Sequence, residues 1–304
     1  MRPDIEIKYC RMSFGYGRSS GGTRDRHCED VLEKFDYSEE KLRHLQLTEL
    51  EMLKELDRIC RENHIEYILD GGTLLGAVRH GGFIPWDDDV DVRMLRKDYD
   101  RFCRLCQTEL SEKYFLQTHL TDPGYRWEYA RILKNGTVYK RKGQNRMTAR
   151  NGIFIDIFPN DNLPDSFFAK KICTGLSWFC RKLLYSEVGA LNKNRFSSWL
   201  GFNILNLFPK EWGHKGMAFL RRKYRKMETD RVRCFGWGSR EEANGFLRRW
   251  HIETEDIVFE GLKVRGPKDI QGFLTYYFDG DYMTLPPEEK RRPVHTADYI
   301  DFGE

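Results

Sequence analysis

The sequence predicts an α+β protein, in which a mixed sheet flanked by helices is followed by a mainly helical C-terminal part. Three observations carry that prediction. An apolar series at helical spacing begins the patterned region, short strand candidates recur between residues 65 and 158, and helical patterns dominate beyond Pro164. At 304 residues, 40% hydrophobic and 14% aromatic, the chain is long enough to bury a sizeable core. Its 32% charged fraction comes with too many Trp, Tyr and Phe residues for a disordered polymer.

Each element has its own signal. Residues 1–30 hold Gly, Ser and Arg without periodicity (Gly15 to Gly22 above all) and read as a loose extension. From Tyr37 to Asn63 the apolar residues Leu42, Leu45, Met52, Leu53, Leu56, Ile59 and Cys60 mark one face of a helix, with Ser38 as its N-cap. Ile65 to Leu69 is a short strand ending at Asp70-Gly71-Gly72-Thr73. Thr73 to His80 is a short helix that Gly81-Gly82 breaks, and Val90 and Val92 belong to a strand that carries acidic residues. A helix over about 97–112 follows, then strands at 114–118, 131–133, 137–140 and 154–158. The expected division is therefore an extension (1–30), a sheet-bearing core (31–163) and a mainly helical region with the tail (164–304).

Charge is unevenly spread. The formal net charge is +4, but Arg131 to Lys226 holds 20 Lys and Arg against 5 Asp and Glu, leaving an excess of acid elsewhere. A basic middle suits an anionic partner, an acidic other half of the same fold, or simply solvent. The clusters Lys140-Arg141-Lys142 and Arg221 to Lys226 are the places where a polyanionic acceptor or an anionic membrane surface is expected. The uncharged run Phe196 to Pro209 is 14 residues long, short of the roughly 20 that a membrane span needs. It reads as core in preference to a surface helix lying on a membrane. The eight cysteines form no metal-ligand pattern, and Cys103 and Cys106 fall on the apolar face of the 97–112 helix. With no secretory signal, a reducing cytoplasm is expected, with contact at the inner membrane face through the basic middle.

The chemistry lies in Asp87-Asp88-Asp89-Val90-Asp91. Four carboxylates within five positions repel one another. On a strand, Asp89 and Asp91 share a face while Val90 and Val92 point into the core. Paired carboxylates on a rigid strand suit Mg²⁺ or Mn²⁺, which take oxygen ligands and leave positions open for phosphate. An acidic surface turn is the plain alternative. Upstream, Gly71-Gly72-Thr73 follows a strand and opens a helix, where free amides and the helix dipole favour phosphate. Asp156 is a lone charge in the apolar run Ile153 to Phe158, and burial demands a metal or a cationic partner for it.

The segment Gly72-Thr-Leu-Leu-Gly-Ala-Val-Arg-His-Gly-Gly-Phe-Ile-Pro-Trp-Asp-Asp-Asp-Val-Asp-Val92 resembles the signature of the LicD family. Gly152 to Pro159 and Gly280 to His295 resemble the family's second and third blocks. The resemblance implies a nucleotidyltransferase-like core, related to fukutin-like transferases. Family members move phosphocholine from CDP-choline onto sugars of teichoic acid or lipopolysaccharide, and fukutin-like relatives move ribitol phosphate from CDP-ribitol. Carried over position by position, Gly71, Gly72 and Thr73 are the phosphate turn. Asp89, Asp91 and Asp156 are the metal-holding catalytic carboxylates, with general base toward the acceptor hydroxyl as the alternative role of Asp156. Arg79, His80, Tyr282 and His295 are candidate donor contacts, while Asp87 and Asp88 play supporting roles. The implied partners are a CDP-activated donor and a glycan or lipid-linked glycan acceptor, with no nucleic acid, since no nucleic-acid motif accompanies the basic middle. A sugar-nucleotide glycosyltransferase using Asp89 and Asp91 as its Asp-x-Asp remains the competing reading, disfavoured by the glycine turn and Asp156.

Overall fold

A computed structural model describes residues 37–141, 147–191, 196–238, 244–278, 280–295 and 297–303. The N-terminal extension expected over residues 1–30 lies outside them, as does Lys142. The predicted α+β class holds: a mixed sheet is flanked by helices.

Helix α1 (Glu39–Glu62) presents the predicted stripe, and Leu45, Met52, Leu53, Leu56 and Ile59 are fully buried. The order along the sheet is β1 (Ile68–Leu69), β2 (Asp91–Leu95), β6 (Phe154–Asn162), β4 (Ala130–Lys134) and β3 (Tyr114–Gln117). Strands β2 and β6 run parallel and the other pairs antiparallel. Strand β6 is central and near-continuously buried, and its apolar run is what a strand covered on both faces requires. Helix α2 (Gly71–His80) follows β1 and ends at Gly81, in the left-handed conformation that glycine adopts without strain. Helix α3 (Arg96–Glu109) buries Tyr99, Phe102 and Cys106, the face expected for it.

The C-terminal part is helical as far as Tyr224, through α4 (Phe167–Leu184), α5 (Ser186–Gly189), α6 (Phe196–Asn206) and α7 (Lys210–Tyr224). It then returns to strands. β7 (Arg231–Arg233) pairs with the end of β6 and with β8 (Phe246–Leu247), and β9 (Thr254–Phe259) and β10 (Leu262–Pro267) form a hairpin. Helix α8 (Ile270–Phe278) and β11 (Ala297–Asp301) complete the described elements, and β11 pairs with β5 (Val138–Arg141). These strands, two to six residues long, give little period-2 signal, which is why helical patterns hid them.

Burial of the uncharged run does not hold. Helix α6 has no buried residue. Phe202 turns inward, its ring 5.9 Å from that of Tyr185, and Trp199 and Leu205 are half-buried. Between the helical part and the sheet, buried Glu128 receives both His214 and Arg221 from α7, and the His119 and His214 rings stack with centroids 4.5 Å apart.

Candidate active site

Two adjacent parallel strands fix the acidic centre. The pairing of β2 with β6 sets Asp91 opposite Asp156, and in a parallel ladder such partners project from the same face. Asp89 precedes β2, and the Asp156 N–H donated to the Val90 carbonyl at 3.0 Å carries the ladder up to the residue beside it. Val90 and Val92 are fully buried, as their alternation with the aspartates predicts.

The glycine turn faces this centre. Gly71 has φ of +46°, and a side chain there would also meet the Tyr277 hydroxyl. A Cβ on Gly72 would come within 2.8 Å of Asp87 Oδ2, so the turn and the acidic run are in contact. Helix α2 starts at Gly71, which leaves the first amides of the helix without intrahelical acceptors. The hydroxyl of Thr73 is spent structurally, accepting the Asp91 N–H at 2.9 Å. Beneath the turn, Asp70 pairs with Arg93 at 2.5 Å, both side chains 1% exposed.

The carboxylates differ in their partners. Asp88 accepts the backbone N–H groups of Val294 and His295 at 3.1 Å, and so ties the tail to the acidic run. His295 Nδ1 lies 2.8 Å from Asp89 Oδ2. Burial and the Arg141 charge oppose protonation of this imidazole, but Asp89 and Asp88 outweigh them and push it up to about 9. Burial works to raise Asp89 as well, yet His295 holds it below the usual carboxylate range. Burial, then the charges of Asp89 and Asp88, push Asp87 well above that range. Asp91 is raised likewise by burial, Asp89 and Asp156, and its Oδ1 is buried with no hydrogen-bond partner. Asp156 has a cation already: Arg131 Nε donates to its Oδ1 at 2.6 Å. That is the salt bridge which stood as the alternative to a metal.

Several residues of the centre escaped the sequence reading. Glu49 on α1 is 2% exposed and pushed strongly up by burial and by Asp89, Asp88 and Asp87. Arg131 is set opposite Asp156 by the β4–β6 register. Arg141, counted in a basic surface cluster, instead lies over the rings of Tyr139 and Phe154, with Nε buried and unpartnered. Its signal was the alternation with Tyr139, which puts both on one face of a strand.

Among the other candidates, His295 reaches the centre because Tyr139 Oη donates to its carbonyl and β11 pairs beside it. Arg79 Nη1 donates to the Tyr282 carbonyl at 2.9 Å and its Nε points at His80, so these three form a brace between α2 and the tail. Asp88, Asp89 and His295 bring ligand atoms within 4.8 Å of one another. The carboxyls of Asp88 and Asp89 and the orphaned Asp91 oxygen are ligands of the kind a hard divalent cation takes, while His295 serves as their counter-charge.

Comparison with known proteins decides the family. The lipopolysaccharide cholinephosphotransferase LicD of Haemophilus influenzae is 32% identical over 275 residues, 84% of this chain and 96% of that protein. The chain belongs to the LicD family. Residues 64–182 match the model of the LicD/FKTN/FKRP nucleotidyltransferase domain, which contains the glycine turn, the acidic run and Asp156. A shorter likeness, 56% over 34 residues, links the chain to the ribitol 5-phosphate transferase FKRP of mouse and human; it covers 11% of this chain and 7% of those proteins. This LicD-family chain is a phosphotransferase.

Proposed function

We propose that the protein transfers a phospho-alcohol group, phosphocholine foremost, from a CDP-activated donor to a sugar hydroxyl of a cell-surface glycan, of teichoic acid or lipopolysaccharide type, and releases CMP. The observation that carries this reading is the pairing of Asp91 with Asp156 on neighbouring strands, with Asp89 just before the first of them and a buried and unpartnered Asp91 oxygen, in a chain alike over most of its length to a cholinephosphotransferase. Residues 31–163 form the catalytic core in this reading, and 164–304 take part in donor and acceptor binding.

Asp89, Asp91 and Asp156 would hold Mg²⁺ or Mn²⁺. Such an ion supplies neutralisation of the negative charge that develops on the diphosphate. The chain's own groups do the rest. The amides of Gly71, Gly72 and Thr73 receive phosphate oxygens at the start of α2. Arg141 adds a positive charge with a donor to spare. The acceptor hydroxyl attacks phosphorus in line, a new P–O bond forms, and the bond from phosphorus to the oxygen that leaves with CMP breaks. Asp156, which Arg131 holds in place, takes the hydroxyl proton where the ion rests on Asp89 and Asp91 alone. Asp87 and Asp88 support the run, Asp88 by anchoring the tail that carries His295. Arg79, His80 and Tyr282 fix the wall of the donor site.

The test is nucleotide release in Mg²⁺ or Mn²⁺, each donor with a glycan acceptor: CMP from CDP-choline or CDP-ribitol, UDP from UDP-sugars. Turnover with CDP-choline is expected. Turnover with a UDP-sugar alone would replace this reading by the glycosyltransferase one. CDP-ribitol is the second donor to watch, on the strength of the FKRP likeness.

A further inference from the structure

The described residues expose 20 large hydrophobic side chains, and 12 of them lie between Phe167 and Phe219, on α4, α6, α7 and the turn before α7. The distribution follows the helices. On α4 the buried residues are Cys173, Ser177, Cys180, Leu183 and Leu184, whereas Phe168, Ile172 and Phe179 recur at helical spacing and are exposed. On α6, Phe202 faces Tyr185, so Phe196, Leu200 and Ile204 (72%, 42% and 49% exposed) form the outer stripe, which Leu207 (83%) extends into the turn that follows. Helix α6 carries no charged residue and is apolar on both sides, a pattern that ordinarily means burial. An exposed apolar surface of this extent marks an interaction site.

Charge identifies the partner. Residues 165–226 hold 13 Lys and Arg against 3 Asp and Glu. Lysines stand beside the exposed rings: Lys171 Nζ is 5.5 Å from the Phe167 ring centroid and Lys223 Nζ 5.9 Å from that of Phe219. Interleaved lysine and bulky apolar groups on surface helices are the composition of a segment lying in the headgroup layer of an anionic bilayer. No helix among the described residues is long and apolar enough to cross a membrane. We infer that the outer face of α4, α6 and α7 docks on an anionic lipid surface, burying the α6 stripe among acyl chains and setting the lysines against lipid phosphates. This inference does not depend on which donor the enzyme uses.

Co-sedimentation of the whole protein tests it, with vesicles of phosphatidylcholine alone or mixed with phosphatidylglycerol. Binding is expected to the mixed vesicles, to weaken as salt shortens the range of the lipid charge, and to be slight with phosphatidylcholine alone. Replacing Leu200→Glu and Ile204→Glu should cut vesicle affinity roughly tenfold or more. Both residues are exposed, and an unchanged near-UV spectrum reports intact folding. Lys171→Glu with Lys223→Glu should weaken binding by roughly tenfold while leaving the apolar stripe in place. The inference is overturned if the wild type ignores both vesicles or if the Leu200/Ile204 variant binds like it. It also falls if the wild type forms a dimer in solution that the same pair of substitutions dissolves, since a second copy would then be what covers this face.

Discussion

The acidic centre and the basic helical face spend charge in opposite ways. In the centre, carboxylates crowd into the protein interior, where Asp87, Asp88 and Glu49 are shielded from water and cations are drawn inward: His295 to Asp89, Arg131 to Asp156, Arg93 to Asp70. On α4 to α7, the cations stay at the surface among apolar groups that the fold leaves uncovered. Repulsion held in a rigid pocket is a reservoir for binding a cation or reacting group. Apolar area left at a surface is a reservoir for binding another phase. Each region is unsatisfied by itself, and each shortfall points to what is missing.

The sharpest way to break the comparison is to neutralise the centre. Asp89→Asn together with Asp91→Asn should lower turnover roughly 1,000-fold or more, the scale of losing a principal electrostatic contact to the transition state. Asp91 is repelled by its neighbours in the folded state whereas Asp89 is held by His295, so the two replacements act on stability in opposite directions and the thermal midpoint measured in chelator should change little beside the loss of activity. A variant that keeps its turnover would remove these two residues from the site.

Arg131 probes the other side of the same charge balance. Arg131→Met leaves Asp156 in the interior without its 2.6 Å partner, and breaking such a buried pair costs about 3 kcal/mol or more. Urea denaturation should register that loss. If Asp156 can draw on a bound cation instead, added Mg²⁺ should recover part of the stability of this variant and little in the wild type. A third change is milder. Gly72→Ala would bring a methyl group within 2.8 Å of Asp87 Oδ2, and the displaced carboxyl should reduce turnover about tenfold with a small change in melting temperature.

How much of this could be read from the chain varies with the range of the signal. Helix α1, helix α3 and strand β6 were legible because their apolar periods extend over whole elements. The pairing of Asp91 with Asp156 was half legible: two lone acids on strands were evident, but only the parallel register of β2 and β6 sets them side by side. Arg131 carried a signal that went unread: it is a lone base in an apolar run, the complement of a lone acid in another. Glu49 had no such signal, since it sits on a helix in a sequence rich in Glu and its burial is decided by the acidic run packing over it. Helix α6 misled for a physical reason. Apolarity predicts that a surface is covered, without saying whether the cover is protein or lipid.

The last prediction concerns the joint between the two regions. Glu128 is buried beneath α7 and is met by His214 and Arg221. Burial by itself would raise its pKa, but the His214 hydrogen bond and the Arg221 charge outweigh it and bring the group from 4.5 down to about 2. A carboxyl depressed in the folded state adds stability that is fully present above its unfolded pKa and disappears as pH falls through the folded one. The contribution of Glu128 should therefore be complete above about pH 4.5 and vanish toward about pH 2. Glu128→Gln keeps an acceptor and loses the charge, so at neutral pH it should cost about 1 kcal/mol, the difference between a charged and a neutral hydrogen bond. Urea midpoints of wild type and variant followed from pH 7 to pH 2 should converge over that acid window. Midpoints that run parallel throughout would mean that α7 is held to the sheet by its apolar contacts (Met217 and Leu220 among them), with the ion pair contributing little.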